Sequence, residues 1–312
     1  MEYFINSTEK YHQCELNSLG WELTVCNALE PIDSPCRNIL KPPLSFGEHL
    51  YHFLRSLMSF DDIRSALEIG GGMGYLMRDF LSSNQKLQAT MIDISPFLLN
   101  KQKETLKSFN VTFKLADILD VPREELSGFD LVIMNENLGD LQTLVAGGVK
   151  KNNTGQALAY IMKKLDTLNK KYGFSLGKDK DEHINIGAIE TVEKLCLSGA
   201  KYIYVSEHSC EAVVPEGMKP YLQFSSTGFP EMIRLKGHKE YTIKFSYLQK
   251  IAEMLNYSVK RGPFADFLPL DFNDKVKAAL RLLTPLNDEQ EIIRHFIHDL
   301  YKYEYLILQK GD

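Results

Sequence analysis

Four glycines fall within five positions in Gly70-Gly71-Gly72-Met73-Gly74, two residues after Glu68, in the segment ALEIGGGMGYLMRDF at 66–80. Glycine reaches positive φ without a Cβ penalty and lets a ligand lie against the main chain. The amides that open the following helix are free to donate to that ligand. A plain strand-to-helix turn does not need so many glycines, because each adds chain entropy that folding must overcome. The spacing also speaks to the ligand. A dinucleotide fingerprint counted from Gly70 requires glycine at Tyr75, and counted from Gly72 requires it at Met77. Neither holds. The pattern is ExGxGxG, and the Glu68 anion repels a pyrophosphate but attracts a cationic amino-acid group.

Two further acids fall in order behind the loop. Asp93, in Met91-Ile92-Asp93-Ile94-Ser95, ends an apolar run, where a carboxylate can accept both hydroxyls of a ribose. As a helix N-cap Asp93 competes with Ser95. Asp117, in Leu115-Ala116-Asp117-Ile118, ends the next run, placed to take an adenine amino group with Ile118 on the ring face.

These residues need a scaffold that brings successive strand ends together. Apolar runs predict strands at 66–69, 88–92, 111–115, 131–134 and 202–206, with later strands at 258–264 and 303–309. Helical spacing predicts helices at 46–60, 75–82, 95–108, 155–171, 187–197, 246–255, 274–283 and 287–301. Strand and helix alternate through most of the chain, the signature of a parallel sheet with crossover helices. Pro31, Pro35, Pro42 and Pro43 break residues 1–45 into an irregular arm with short helical pieces. Residues 46–312 then form one domain, with a loop-rich excursion after the fifth strand at about 207–245.

The glycine loop and its ordered acids resemble the motifs of class I S-adenosylmethionine-dependent methyltransferases. That resemblance implies an α/β fold with a seven-stranded, mostly parallel sheet and S-adenosylmethionine across the carboxyl ends of the first strands. It implies cofactor contacts from Glu68, Gly70, Gly71, Gly72, Gly74, Asp93, Ile94, Asp117, Ile118 and Asn135. It also places the segment after the fourth strand, FDLVIMNENLGDLQT at 129–143, beside the sulfonium and the acceptor. Asn135, Glu136 and Asp140 are then the candidate catalytic residues. Direct displacement of a methyl group rests on alignment of acceptor, methyl and sulfur. Glu136 could orient or deprotonate an amine or guanidinium, and Asp140 could add negative potential. The stretch Asn135-Glu136-Asn137-Leu138-Gly139-Asp140 is also similar to the NExxD segment of the MidA family of protein-arginine methyltransferases. NIGAIETVEKL and GHKEYTIKFSYLQKIAEML support that likeness, whereas Gly71 stands where that family has proline.

The expected function is therefore methyl transfer to nitrogen on a protein side chain or an amine-containing small molecule. The alternatives are a small-molecule O-methyltransferase with a base such as His208, or a non-catalytic S-adenosylmethionine-binding assembly factor. Tyr221, Phe224, Phe229 and Pro42-Pro43 are candidates for an acceptor wall. The histidines His183, His208 and His238 form no spaced metal cluster. Cys14, Cys26 and Cys36, with His12 beside the first, match no zinc pattern, so no metal is expected and the thiols are expected reduced.

Composition sets the outer bounds. The chain has 312 residues, 44% hydrophobic and 25% charged, enough for a core without disulfide staples. A formal charge of −5 argues against a broad nucleic-acid-binding surface. No basic start precedes an apolar run, and no run reaches the roughly 20 residues a bilayer span needs. The expectation is a cytoplasmic protein with no membrane partner, and nothing in the sequence conflicts with a homodimer.

Overall fold

The computed structural model describes residues 3–17, 24–147, 155–177, 182–281 and 286–311. The chain begins with strand β1 (Tyr3–Asn6) and the short helix α1 (Val25–Ala28). Helix α2 (Phe46–Leu57) starts at a capping box, in which Ser45 accepts from the Glu48 amide and the Glu48 carboxylate from the Ser45 amide. It leads into β2 (Ser65–Ile69), α3 (Tyr75–Ser83), β3 (Gln88–Asp93), α4 (Pro96–Thr105) and β4 (Val111–Leu115). Proline at the first position of α4 and Ser95 as its cap fix where that helix starts.

Next come β5 (Leu131–Asn135), β6 (Thr143–Ala146), α5 (Gly155–Tyr172), α6 (Ile186–Ser198) and β7 (Tyr202–His208). The hairpin strands β8 (Met232–Arg234) and β9 (Lys239–Tyr241) precede α7 (Phe245–Met254) and β10 (Tyr257–Pro263). Helices α8 (Asp274–Arg281) and α9 (Asp288–Lys302) lead to the last strand, β11 (Tyr303–Lys310). The helix expected at 274–283 is seen to Arg281, and 282–285 lie outside the described residues.

Seven strands form the main sheet in the order β10-β11-β7-β5-β2-β3-β4. The pairs β2–β3, β2–β5, β3–β4 and β5–β7 are parallel, while β11 runs antiparallel to both β7 and β10. Strand order reverses beside β2, and the crevice at the carboxyl ends of β2 and its neighbours is where open α/β sheets bind ligands. The central strands β2, β5 and β7 are buried almost throughout, as both faces are covered. Alternate residues feed two cores. Ile133 and Tyr204 pack in the first with α2, α3 and α9, while Val132, Met134 and Val205 pack in the second with α5, α6 and α7.

The arm carries more order than its prolines suggest. β1 pairs antiparallel with β6, from Tyr3 opposite Ala146 to Asn6 opposite Thr143. Asn6 also donates to the Lys239 carbonyl at 2.8 Å, tying the arm to the β8–β9 hairpin. The excursion at 207–245 folds back too, through Cys210 N–H to Ile243 O at 3.0 Å. No helix among the described residues is long and apolar enough to cross a membrane.

Phe80 of α3 is fully buried, edge-on to Tyr51 at 5.5 Å and Phe60 at 5.9 Å. Phe80→Ala is expected to destabilise the protein by about 3–5 kcal/mol in urea unfolding. A loss under about 1 kcal/mol would contradict this packing.

Candidate active site

The glycine loop connects β2 to α3. Gly70 and Gly72 adopt φ of +65° and +53°. A Cβ at Gly70 would strike the Asn137 amide, whereas a Cβ at Gly72 would meet nothing within 4 Å and would project into open space. The loop is held from two sides. The Asn137 amide donates to the carbonyls of Ile69 and Gly70. The Gln102 amide donates to Gly72 O at 3.1 Å and to Asp93 Oδ2 at 2.7 Å, so one side chain joins the loop to the second acid. Neither Asn137 nor Gln102 stands out in the sequence, because an amide far along the chain has no local pattern.

The expected cofactor residues converge on one cavity of about 370 Å³, within the range of small-ligand sites. Glu68, Gly70, Gly71, Gly72, Asp93, Ile94, Asp117, Ile118 and Asn135 line it, and Gly74 lies just behind as the left-handed residue preceding α3. Glu68 is 2% exposed, and its Oε2 is buried without a hydrogen-bond partner among the described residues. Burial, then the charges of Asp93 and Asp79, push its carboxyl up to about 8. Asp93 is pushed up to about 6 by burial, against hydrogen bonds from the Ser95 amide and Gln102. The α4 cap belongs to Ser95, whose hydroxyl accepts from Leu98 N at 3.3 Å. Asp117 uses Oδ1 to accept from Leu119 N at 2.8 Å.

Beyond the glycine loop, the carboxyl end of β5 carries the expected chemistry. Asn135 donates to Glu136 Oε1 at 3.0 Å and accepts from Ser206 at 2.8 Å. Glu136 takes the left-handed conformation at φ +55°. Its Oε2 accepts from Val25 N at 2.7 Å and its Oε1 from Cys26 N at 3.1 Å. Burial pushes its carboxyl up to about 7 despite those bonds. Glu136 thus ties the start of α1 to the end of β5. Glu207 is also buried, accepting from Gly139 N at 3.0 Å and His208 N at 2.8 Å.

Asp140 meets two histidines, one from the arm and one from the turn between β8 and β9. His12 Nε2 lies 2.8 Å and His238 Nε2 3.7 Å from Asp140 Oδ1, while Glu240 Oε1 lies 2.7 Å from His238 Nε2. Burial pushes the Asp140 carboxyl up, but the hydrogen bond and charge of His12 and the charge of His238 outweigh it and hold it below the ordinary value. The sequence predicts no metal cluster here, because no local spacing connects His12 with His238. Of the remaining candidates, His208 lines the cavity and stacks on Tyr303 at 3.8 Å, whereas His183 accepts from Ala146 N. Tyr221 and Phe229 pack under Arg281 and Lys244, and Phe224 lines a separate surface cleft. Leu16, Leu141, Ile233 and Leu235 supply apolar lining in their stead.

Residues 67–165, about a third of the chain, match the family model of a methyltransferase domain. The matched residues span β2 to β5 and the segment beyond, so the methyltransferase-like region holds the glycine loop and the ends of β3, β4 and β5. A malonyl-acyl-carrier-protein O-methyltransferase of Anoxybacillus flavithermus is 29% identical over 131 residues, covering 40% of this chain and 50% of that enzyme. The chain thus spans about half the length of that curated relative. An uncharacterized protein from Burkholderia thailandensis has a similar structure, with a TM-score of 0.53 and 14% identity over 92% of this chain and 86% of that one. This second likeness is one of fold. An O-methyltransferase family protein of the same organism superposes with a TM-score of 0.43 and 11% identity, covering 84% of this chain and 55% of the other.

The raised carboxyls make stability pH-dependent. Glu68, Asp93 and Glu136 bind protons more tightly in the folded protein than in the unfolded chain. Their contribution is full below about pH 4 and is lost as pH rises through about 6 to 8. Urea unfolding of the ligand-free protein is expected to show stability falling across that window, and Glu68→Gln is expected to flatten the fall. A slope unchanged in Glu68→Gln would contradict the assignment.

Proposed function

We propose that the protein transfers a methyl group from S-adenosylmethionine to a nitrogen acceptor, on a protein side chain or an amine-containing small molecule. The observation that carries the reading is the buried Glu68 Oε2, without a hydrogen-bond partner among the described residues, beside the glycine loop, with Asp93 ending β3 and Asp117 two residues past β4. Buried acids short of positive charge suit a cofactor carrying both an ammonium and a sulfonium. When bound, S-adenosylmethionine supplies the electrophilic methyl group. Glu68 would face the amino-acid portion, Asp93 the ribose hydroxyls and Asp117 the adenine, with Ile94 and Ile118 against the ring. Asn135 would stand near the sulfonium.

The remaining chamber favours a cationic acceptor, because Glu136, Asp140, Glu207 and Glu240 all line it. We assign Asp140 to negative potential beside the acceptor and to orienting His12, the group placed to take the acceptor proton. With its carboxylate already engaged by two main-chain amides, Glu136 serves to hold α1 over the chamber. The similarity of the 135–140 segment to MidA proteins supports a protein side chain as acceptor. A hydroxyl or carboxyl acceptor is the second reading, favoured by the O-methyltransferase relative and by His208 on the cavity wall.

Calorimetric titration tests the cofactor, with Glu68→Gln and Asp93→Asn each expected to weaken S-adenosylmethionine binding at least about tenfold, or 1.4 kcal/mol. Binding of a nicotinamide dinucleotide and not S-adenosylmethionine would sink the reading. Labelled methyl transfer to amine, guanidinium, hydroxyl and carboxyl acceptors separates the two chemistries, and tight binding with no transfer to any of them would favour an assembly factor. Glu136→Ala is expected to lower turnover and to speed amide exchange at Val25 and Cys26 together. Lost turnover with unchanged exchange would return Glu136 to acid–base chemistry.

A further inference from the structure

Above the cofactor residues, three segments distant in sequence place nitrogen and oxygen donors on one point. His12 comes from the arm, Asp140 from the loop after β5, and His238 from the turn between β8 and β9. One ligand atom from each lies within 4.8 Å of both others. Around a tetrahedral zinc ion, donors about 2.1 Å from the metal stand about 3.4 Å apart. The observed separations of 2.8 Å and 3.7 Å to Asp140 Oδ1 bracket that spacing, so small side-chain shifts admit an ion. The side chains of His12, Asp140 and His238 are 14%, 25% and 5% exposed, which removes most competing water.

The surroundings hold these donors in place. Tyr11 stacks on His238 with ring centroids 4.2 Å apart. Gly237, at φ +102°, gives Tyr11 the room to do so, since a Cβ there would stand 2.6 Å from its ring. Thr8 donates to the Asp140 carbonyl at 2.7 Å, fixing the arm beside the same loop. Glu240 Oε1 lies 2.7 Å from His238 Nε2 and steadies that ring. Two neutral imidazoles with the Asp140 carboxylate carry a charge of −1, which favours binding a divalent ion. Paired imidazole and carboxylate donors suit zinc, iron, cobalt or nickel over calcium or magnesium.

We propose that His12, Asp140 and His238 form a binding site for a divalent transition-metal ion. Bound there, the ion clasps the arm to the β8–β9 hairpin across the acceptor chamber. With three protein donors, a coordination position is left open toward the cavity for water or an acceptor lone pair. An ion on the His12 nitrogen would replace the proton-accepting role given to that residue above; the metal proposal rests on the donor geometry and not on the cofactor reading, so either can fail alone.

The test is calorimetric titration of Zn²⁺ into the full-length, metal-stripped protein carrying Cys14→Ser, which removes the exposed thiol beside His12. One ion per chain is expected, with His12→Gln and His238→Gln each weakening uptake by more than about tenfold. Urea unfolding of the same variants reports whether they are folded. Co²⁺ added to the chain with both histidines intact needs no ligand variant, and visible bands of mixed nitrogen and oxygen coordination are expected. No stoichiometric uptake of Zn²⁺, a cobalt spectrum of the hydrated ion alone, or uptake unchanged in both histidine variants would overturn the proposal.

Discussion

The cavity depends on one carboxylate. Glu136 sits at the carboxyl end of β5 in a left-handed conformation, and accepts from the main-chain amides of Val25 and Cys26. A buried charge without partners is expensive, and the first amides of a helix need acceptors, so each requirement satisfies the other. The consequence is spatial. The arm is drawn over the strand ends, Cys26 and Asn27 become part of the cavity wall, and the space between arm and glycine loop becomes a chamber. A second tie acts nearby, where Arg78 of α3 pairs with Glu30 through contacts of 2.6 Å and 2.8 Å. The helix that follows the glycine loop is thereby fastened to the same arm.

Charge in the chamber is distributed unevenly. Glu68 and Asp93 beside the glycine loop, and Glu136 after β5, are buried and proton-hungry, conditions under which a cation is welcome. At the loop after β5, the hydrogen bond and charge of His12 and the charge of His238 hold the Asp140 carboxyl below its ordinary value. Perturbed acids clustered in a cleft at a sheet's switch point are a common mark of function.

The main sheet was legible because its central strands β2, β5 and β7 are short, largely apolar runs, while β4 alternates apolar and polar residues and its bounds match 111–115 at both ends. Glu68, the glycines, Asp93 and Asp117 were legible because they sit next to those runs. What escaped the sequence depends on long-range closure. β1 is four residues long and has meaning only against β6; β8 and β9 have three residues each, too few to show a period. His12 and His238 meet only after the arm and the β8–β9 hairpin have folded back. The partners of Glu136 are backbone amides, which leave no trace in the residue types at Val25 and Cys26. Gln102 and Asn137, which brace the glycine loop through its carbonyls, were hidden for the same reason.

A crystal structure of the protein soaked with S-adenosylmethionine tests the central claim most directly. The expected density places the ribose hydroxyls on Asp93, the adenine between Ile94 and Ile118, and the amino-acid end by Glu68 and the glycine loop, with α1 still bound to Glu136. Density for the nucleoside elsewhere, or an undisturbed cavity at saturating ligand, would contradict it.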